Sequence, residues 1–305
     1  MFDATFARVV LSEGIMAVRI EIDIFSGRPN PVIELKGSEA RQALERLRPV
    51  RRLERGEPGL PQLPTLGYRG LIVEQTEAKA RGLPRSFRFA HGDLFGPRLL
   101  HRAEDEDFEE FVLRRAGLAK LRPGKQMPDA VRAEIRRFRA TRQNWPLRKL
   151  PWPTKARCAC APLYEPDWWN VPDRQPFNNC YNYATNYRTD TFAQPGQAAG
   201  AMYTALTCAS VRPAAVADEL ISSPRANNKC PKEGHLVALV IWPDVDFHWY
   251  RKGRNGYWSH KPGGTAVTNL DNSNVTIPDP RTADRGGYTH FCTFMVVMHG
   301  HIKIA

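Results

Sequence analysis

The alternation of apolar and polar positions predicts a strand near the start of the chain. From Ala17 to Phe25, three isoleucines at 20, 22 and 24 alternate with charged residues, which is typical of a strand with one buried face. Residues 26–31, Ser-Gly-Arg-Pro-Asn-Pro, are a dense turn signal, and a second apolar run follows at 32–35. We interpret 26–31 as a stiff connection between two strands; the alternative is that Arg28 holds an anionic group there.

Apolar residues recur at helical spacing further along the first half of the chain. Two amphipathic helices are predicted, from Asp105 to Ala116 and from Asp129 to about Gln143. The first has acidic residues in its first turn and arginines in its last, which suits the helix dipole. With short strand candidates at 70–74 and 87–89, this pattern predicts an α+β domain over residues 16–145. We interpret residues 1–15 as a disordered extension.

The second half shows helices followed by an antiparallel run of strands. Helices are predicted from Cys180 and over 213–221, and strands at 235–242, 246–252, 257–261, 266–269 and 291–298. Ahead of them, residues 146–177 interleave tryptophan with proline; proline prevents regular pairing, whereas tryptophan favours burial. We therefore predict an extended strap at 146–177 and a second α+β domain at 178–305, in which a helix bearing a cysteine packs on an antiparallel sheet.

The positive charge is concentrated in the front half. The chain carries a net charge of +12, and residues 1–150 hold 29 lysines and arginines against 20 aspartates and glutamates, a net of +9. A basic front domain favours an anionic partner. No zinc-finger spacing or basic heptad accompanies the charge, which disfavours nucleic acid.

The number of cysteines and the hydropathy of the sequence indicate the cellular compartment in which the protein is expected. No apolar run approaches the roughly 18 residues of a membrane span, and residues 1–15 lack the order of a secretory signal. We expect a cytoplasmic protein, or one exported without a cleavable signal peptide, whose six cysteines are free thiols by default. Cys158 and Cys160 have no second pair at zinc-ribbon spacing, so no structural metal is predicted.

A cysteine nucleophile is the chemistry that the second domain indicates. Cys180 lies at a predicted helix start, where unpaired backbone N–H groups lower a thiol pKa. Cysteine catalysis also needs a histidine base and a group that orients it. His248 and His260 lie on two successive predicted strands and are the candidates for these roles.

The register of the hairpin decides whether the two histidines meet. The segment 254–256, Arg-Asn-Gly, suits a three-residue loop with Gly256 in the left-handed position. That loop places Tyr250 opposite His260 and makes His248 its diagonal neighbour on one face. A two-residue loop would shift the register and send the histidines to opposite faces.

A cysteine at a helix start, a strand histidine and a polar residue on the next strand resemble the papain-like superfamily, and most closely its NlpC-type branch of bacterial cell-wall peptidases and amidases. The resemblance covers roughly residues 175–270, and it implies that Cys180 attacks, His248 transfers the proton and His260 orients His248. The family's Asp-Cys-Ser-Gly is replaced by Asn-Cys-Tyr-Asn, and Gln175 is a loose counterpart of the papain glutamine. Oxyanion stabilisation would fall to the Cys180 backbone N–H with Asn179 or Gln175.

Some assignments stay open. Asp271 or Asp246 could replace His260 as the orienting group, and His235 is a rival base at the start of an apolar strand.

The leading hypothesis is a cysteine hydrolase that cleaves an amide in a peptide or peptidoglycan-like substrate, without metal or cofactor. The same residues would serve an acyltransferase or a transglutaminase-like toxin. The second class is a non-enzymatic binder of glycan or peptide, with an aromatic groove formed by Trp249, Tyr250, Tyr257 and Trp258.

Overall fold

The structure, a computed structural model, describes residues 16–53, 65–96, 99–115, 127–141 and 158–305. It divides into two units. Unit 1 comprises the described residues of Met1–Asp23, Asn30–Pro61 and Arg69–Leu121, and unit 2 those of Ile24–Pro29, Gln62–Tyr68 and Arg122–Ala305. Each unit combines helices with an antiparallel sheet, so the predicted α+β class is confirmed.

This division differs from the predicted one. The segment Ile24–Pro29, which was predicted to be part of the front domain, belongs to unit 2. Unit 2 also takes the described residues from Arg122 onward, well before the predicted boundary. The predicted extension 1–15 and the first part of the predicted strap, 146–157, lie outside the described residues.

Unit 1 is built on a seven-stranded sheet of order β2-β1-β4-β5-β6-β7-β3. Its elements are β1 (Ala17–Asp23), β2 (Val32–Lys36), α1 (Gly37–Arg46), β3 (Pro49–Arg52), β4 (Gly70–Gln75), β5 (Ser86–Ala90), β6 (Asp93–Gly96), β7 (Leu99–Ala103) and α2 (Phe108–Arg115). The predicted pair of strands around 26–31 is present, since Ile20 of β1 lies opposite Ile33 of β2. The alternation in β1 buries Val18, Ile20 and Ile22.

A charged cluster is buried at the end of β1. Asp23 accepts hydrogen bonds from Arg69 Nε at 2.9 Å and from Arg88 Nη1 at 2.7 Å. Burial alone would raise the pKa of Asp23, but the two guanidiniums outweigh it and hold this pKa at about 2. The carboxylate is therefore charged at neutral pH inside unit 1.

Unit 2 is built on a five-stranded sheet of order β11-β10-β9-β12-β8. Its elements are α3 (Met127–Thr141), α4 (Pro166–Trp169), α5 (Cys180–Thr185), α6 (Cys208–Ala217), β8 (Ile221–Ser222), β9 (His235–Trp242), β10 (Asp246–Lys252), β11 (Trp258–His260) and β12 (His290–Val297). No helix in the described part of the chain has both the length and the apolarity that a bilayer crossing requires.

Two predicted elements of unit 2 differ from the structure. The predicted strand at 266–269 is reduced to an isolated bridge between His260 and Thr268, because the surrounding 262–289 segment is rich in glycine, proline, asparagine and aspartate. The predicted helix at 213–221 instead begins at Cys208 and ends at Ala217. The last strand, β12, pairs with β9 and β8.

Four of the six cysteines are paired, which corrects the expectation of free thiols. Cys158 is bonded to Cys230, and Cys208 at the start of α6 is bonded to Cys292 on β12. A disulfide that closes a loop of this size stabilises a fold by about 2–5 kcal/mol. Cys160 is exposed and free, and Cys180 is buried and free.

The described part of the strap contacts the hairpin of β10 and β11. Arg254 N donates to Pro162 O at 2.9 Å, and Arg251 Nη2 donates to Leu163 O at 3.0 Å. Trp169 is buried, whereas Trp168 is 43% exposed.

Candidate functional site

The predicted start of a helix at Cys180 is confirmed, and Asn179 is its cap. Asn179 Oδ1 accepts from Tyr181 N at 2.9 Å and from Asn182 N at 3.1 Å, while Asn182 Oδ1 accepts from Asn179 N at 3.0 Å. This reciprocal pair satisfies the first N–H groups of α5. Asn179 Nδ2 donates to Gly27 O and Ala193 O, so both of its amide hydrogens are engaged. This arrangement makes Asn179 a structural residue rather than the predicted oxyanion donor.

The predicted register of the hairpin is also confirmed. Tyr250 lies opposite His260, Gly253 N donates to Tyr257 O at 2.8 Å, and Gly256 has a φ of +81°. The three-residue loop therefore brings the two histidines together, and His248 Nε2 lies 2.9 Å from His260 Nδ1.

Ser26 completes this cluster, and sequence reasoning missed it. Ser26 Oγ lies 2.5 Å from His248 Nδ1, although 222 residues separate the two along the chain. The turn signal at 26–31 indicated a rigid loop but carried no information about its long-range partner. Gly263 N also donates to Ser26 Oγ at 3.3 Å.

The direction of the His248–His260 hydrogen bond follows from the last acceptor of this cluster. His260 Nε2 lies 2.9 Å from Leu270 O, and a carbonyl only accepts, so His260 Nε2 carries the hydrogen. Burial lowers the pKa of His260 to about 4, which keeps the ring neutral at pH 7 and leaves its Nδ1 to accept from His248 Nε2. The other ring nitrogen of His248, Nδ1, lies at the Ser26 hydroxyl. We call Ser26, His248, His260 and the Leu270 carbonyl the polar chain.

Cys180 is a core thiol in this setting. Its side chain is fully buried and packs in the apolar core of unit 2 with Tyr181, Phe247 and Trp249. Burial, and next the nearby Asp246 carboxylate, raise the pKa of Cys180 far above its usual value, even though the Trp249 backbone and the Ser26 side chain hydrogen-bond to the sulfur. The expected lowering by the helix start is therefore wrong, because desolvation of the thiolate dominates over the field of a six-residue helix.

Asp246 holds the Ser26 loop. Its Oδ2 accepts from Ser26 N at 2.6 Å, from Gly27 N at 3.1 Å and from the Tyr288 hydroxyl at 2.6 Å. Burial raises the pKa of this carboxyl, and these donors only partly offset the effect. Asp246 thus positions a loop that presents Ser26 to His248.

The other predicted site residues have structural partners of their own. Asp271 Oδ1 accepts from Ser273 N and Val275 N, both at 2.9 Å, which caps a turn. His260 Nδ1, rather than Asp271, lies at His248 Nε2, so the alternative in which Asp271 orients His248 is not supported. Gln175 accepts from Lys261 Nζ at 2.6 Å through its backbone carbonyl. His235 Nε2 donates to Ala184 O at 2.7 Å, and burial lowers the pKa of this ring to about 3.

The predicted aromatic groove is not an open surface. Trp249, Tyr250 and Trp258 are fully buried and Tyr257 is 5% exposed, so these four side chains form part of the core. Among the described residues, no group of three histidine, cysteine or acidic side chains could hold a metal ion.

The polar chain limits the chemistry available to Cys180. A general base must offer a ring nitrogen to the thiol, yet both nitrogens of His248 are engaged, one by Ser26 and the other by His260. The thiol is neutral at pH 7 and fully buried. This arrangement satisfies buried polar groups, as a stable core requires.

The chain is similar to insoluble matrix shell protein 1 of Ruditapes philippinarum, with 46% identity over 145 residues. The match spans 47% of this chain and 95% of that protein. No protein-family model matches the chain, and no solved structure matches it.

This likeness overturns the prediction of a cysteine hydrolase, together with its acyl-transfer variants. The relative is a shell matrix protein and not a peptidase or amidase, and it comes from a mollusc, so the expectation of a bacterial thiol protease is also wrong. The physical reason lies in Cys180, which burial keeps neutral and solvent-inaccessible. At this identity and coverage, the chain belongs to the family of insoluble matrix shell protein 1.

Proposed function

We propose that this protein is a structural, non-catalytic component of an insoluble extracellular matrix. The observation that carries the proposal is the 46% identity over 95% of insoluble matrix shell protein 1. A likeness across nearly a whole matrix protein supports a shared role more strongly than a short motif would.

The two disulfides support a location outside the cytosol. Disulfides persist in oxidising compartments and are rare where glutathione keeps thiols reduced. Cys158–Cys230 and Cys208–Cys292 therefore favour the exported alternative over the cytoplasmic one.

The polar chain supports a structural role for the residues that resemble a catalytic site. It joins the Ile24–Pro29 loop, strands β10 and β11 and the Leu270 segment through buried hydrogen bonds. Fully satisfied buried networks of this kind rigidify a core and specify one arrangement. A rigid, disulfide-braced unit suits a building block of a lasting matrix.

The charge distribution supports an anionic partner within that matrix. Residues 1–150 carry a net charge of +9 against +3 for the rest of the chain. We expect the full chain to bind polyglutamate beads at low salt and to release them as salt rises, because screening weakens exposed charges. Neutral dextran beads are the control, and equal retention on both would remove this part of the proposal.

Fractionation of the producing organism tests the main proposal. We expect the chain in extracellular material that stays insoluble after washing with salt and detergent, with both disulfides found by peptide mapping. Recovery of the chain only from the cytosol, with Cys158, Cys230, Cys208 and Cys292 reduced, would refute it.

A further inference from the structure

Three of the six cysteines lie close together in unit 2. Cys158 is bonded to Cys230 with their Cα atoms 5.4 Å apart, and Cys160 follows Cys158 by two residues. Cys160 Sγ lies 3.4 Å from Lys232 O, the carbonyl two residues after Cys230. A free thiol and a disulfide therefore share one short stretch of surface.

The backbone around Cys160 is fixed by hydrogen bonds. Ala161 N donates to Cys158 O and Cys158 N donates to Arg254 O, both at 3.0 Å. His299 Nε2 also lies 3.1 Å from Cys160 O, to which it donates because a carbonyl only accepts. The thiol is thus held beside the disulfide rather than carried on a free end.

The three sulfurs differ in their access to solvent. Cys160 is exposed, Cys230 is half-buried and Cys158 is only 3% exposed. An attacking thiolate from another molecule therefore reaches Cys230 more readily than Cys158, and Cys160 is the solvent-exposed thiol that can attack another molecule. The other free thiol, Cys180, is fully buried and cannot act in this way.

We propose that Cys158, Cys160 and Cys230 form a thiol–disulfide exchange centre that links the chain covalently to a second copy of itself. Cys160 of one copy loses its proton to solvent, and its thiolate attacks Cys230 Sγ of another copy. A Cys160–Cys230 bond forms between the copies, the Cys158–Cys230 bond of the attacked copy breaks, and Cys158 leaves as a thiolate that takes up a proton. One disulfide replaces another, so the step needs no oxidant.

This exchange repeats along a growing series of copies. The attacked copy keeps its own Cys160 free, and the attacking copy keeps its own Cys158–Cys230 disulfide, so each can react again. The contact is head-to-tail, and such contacts form rings where the rotation between copies closes and open assemblies where it does not. The inference deepens the proposed matrix role and rests on it, since open covalent assemblies are insoluble at sufficient length.

Isotope mixing tests the exchange directly. Equal amounts of ¹⁴N- and ¹⁵N-labelled full chain are incubated at pH 8 without oxygen, quenched with acid and mapped for disulfide-linked peptides. We expect Cys160–Cys230 peptides that join the two isotopes, and covalent dimers and larger species on non-reducing gels. Cys160→Ser should reduce these species at least tenfold, whereas the neighbouring exposed control Ala159→Ser should leave them unchanged.

Three results would overturn the exchange centre. The first is the absence of mixed-isotope peptides from the wild type, and the second is equal cross-linking of the wild type and the Cys160→Ser variant. The third is that Cys160–Cys160 peptides are the sole product and form only in a parallel incubation with oxygen. The outcome is separable from that of the proposed function. If the protein is extracellular and insoluble but has no Cys160–Cys230 links, the matrix role is supported and the exchange is rejected. If the protein is cytosolic but exchanges in vitro, the exchange is supported and the matrix role is rejected.

Discussion

Asp23 of unit 1 and Ser26 of unit 2 lie three residues apart in the sequence, and each is buried among polar partners of a different kind. Asp23 is charged, and the guanidiniums of Arg69 and Arg88 compensate that charge. Ser26 begins a chain of hydrogen bonds through His248 and His260 to a backbone carbonyl. The stability of the first cluster depends on the balance of opposite charges. The stability of the second depends on each hydrogen-bond donor having an acceptor. The two clusters should therefore respond differently to mutation and to pH.

The largest effect is expected from removing the charge at the centre of the first cluster. Asp23→Ala leaves Arg69 and Arg88 without their shared carboxylate, and breaking a buried ion pair in this way costs about 3–5 kcal/mol. We expect unit 1 to lose that much free energy of unfolding, measured by hydrogen exchange of peptides from β1 and β4. Glu104→Ala is the control, because its exposed pair with Arg48 at 2.7 Å contributes at most about 1 kcal/mol. Equal losses in the two variants would contradict the assignment of a buried charge cluster.

A smaller effect is expected from removing the first side chain of the polar chain. Ser26→Ala removes the hydroxyl at the buried His248 Nδ1, and the loss of a buried hydrogen-bond partner costs about 1–3 kcal/mol. Hydrogen exchange of β10 and β11 peptides should show this loss, while Ser222→Ala, at an exposed side chain on β8, should not. An unchanged exchange rate in Ser26→Ala would mean that the Ser26–His248 contact does not stabilise unit 2.

The smallest effect is a difference in acid sensitivity. The pKa of His260 is lowered to about 4 from about 6.5 in the unfolded chain, so its contribution is complete above pH 6.5 and is lost as the pH falls toward 4. The pKa of Asp23 is lowered to about 2, so its contribution is complete above about pH 4 and is lost as the pH falls toward 2. Between pH 6.5 and 5.5 we expect His260 to contribute a loss of about 1 kcal/mol in unit 2, and His235, whose pKa is lowered to about 3, to add a similar loss. Asp23 contributes almost none in unit 1 over this range, where the lowered pKa of the partly exposed His101 gives a smaller loss.

The variant His260→Gln separates the contribution of His260 from the contributions of the other titrating groups in unit 2. Asp246, whose pKa is raised, changes the stability of unit 2 in the opposite direction on acidification. The pH dependence of His260→Gln should therefore be flatter than that of the wild type between pH 6.5 and 5.5. Parallel profiles would show that His260 is not the titrating group.

The sequence was most informative where the contacts are local. The alternation in β1 and the Arg-Asn-Gly loop at 254–256 predicted strand faces and the register that joins His248 to His260, because period and turn type act over a few residues. The start of α5 at Cys180 was predicted for the same reason.

The local sequence pattern could not show which residues meet across long stretches of the chain or which side chains are buried. Ser26 meets His248 across 222 residues, and nothing in the turn sequence indicates that contact. The helix start suggested a reactive Cys180, but its reactivity depends on desolvation by a core assembled from α5, α6, β9 and β10. The disulfides were missed because their pairing also joins segments more than 70 residues apart.

Alkylation of the native protein with iodoacetamide tests the central claim that Cys180 is a structural thiol. The reagent is applied over a pH series, and each cysteine is followed by peptide mapping with and without denaturant. We expect rapid labelling of Cys160, which is exposed, and labelling of Cys180 only after unfolding. Rapid labelling of native Cys180 near neutral pH, abolished by His248→Ala, would contradict the structural account and restore a thiolate–imidazole pair.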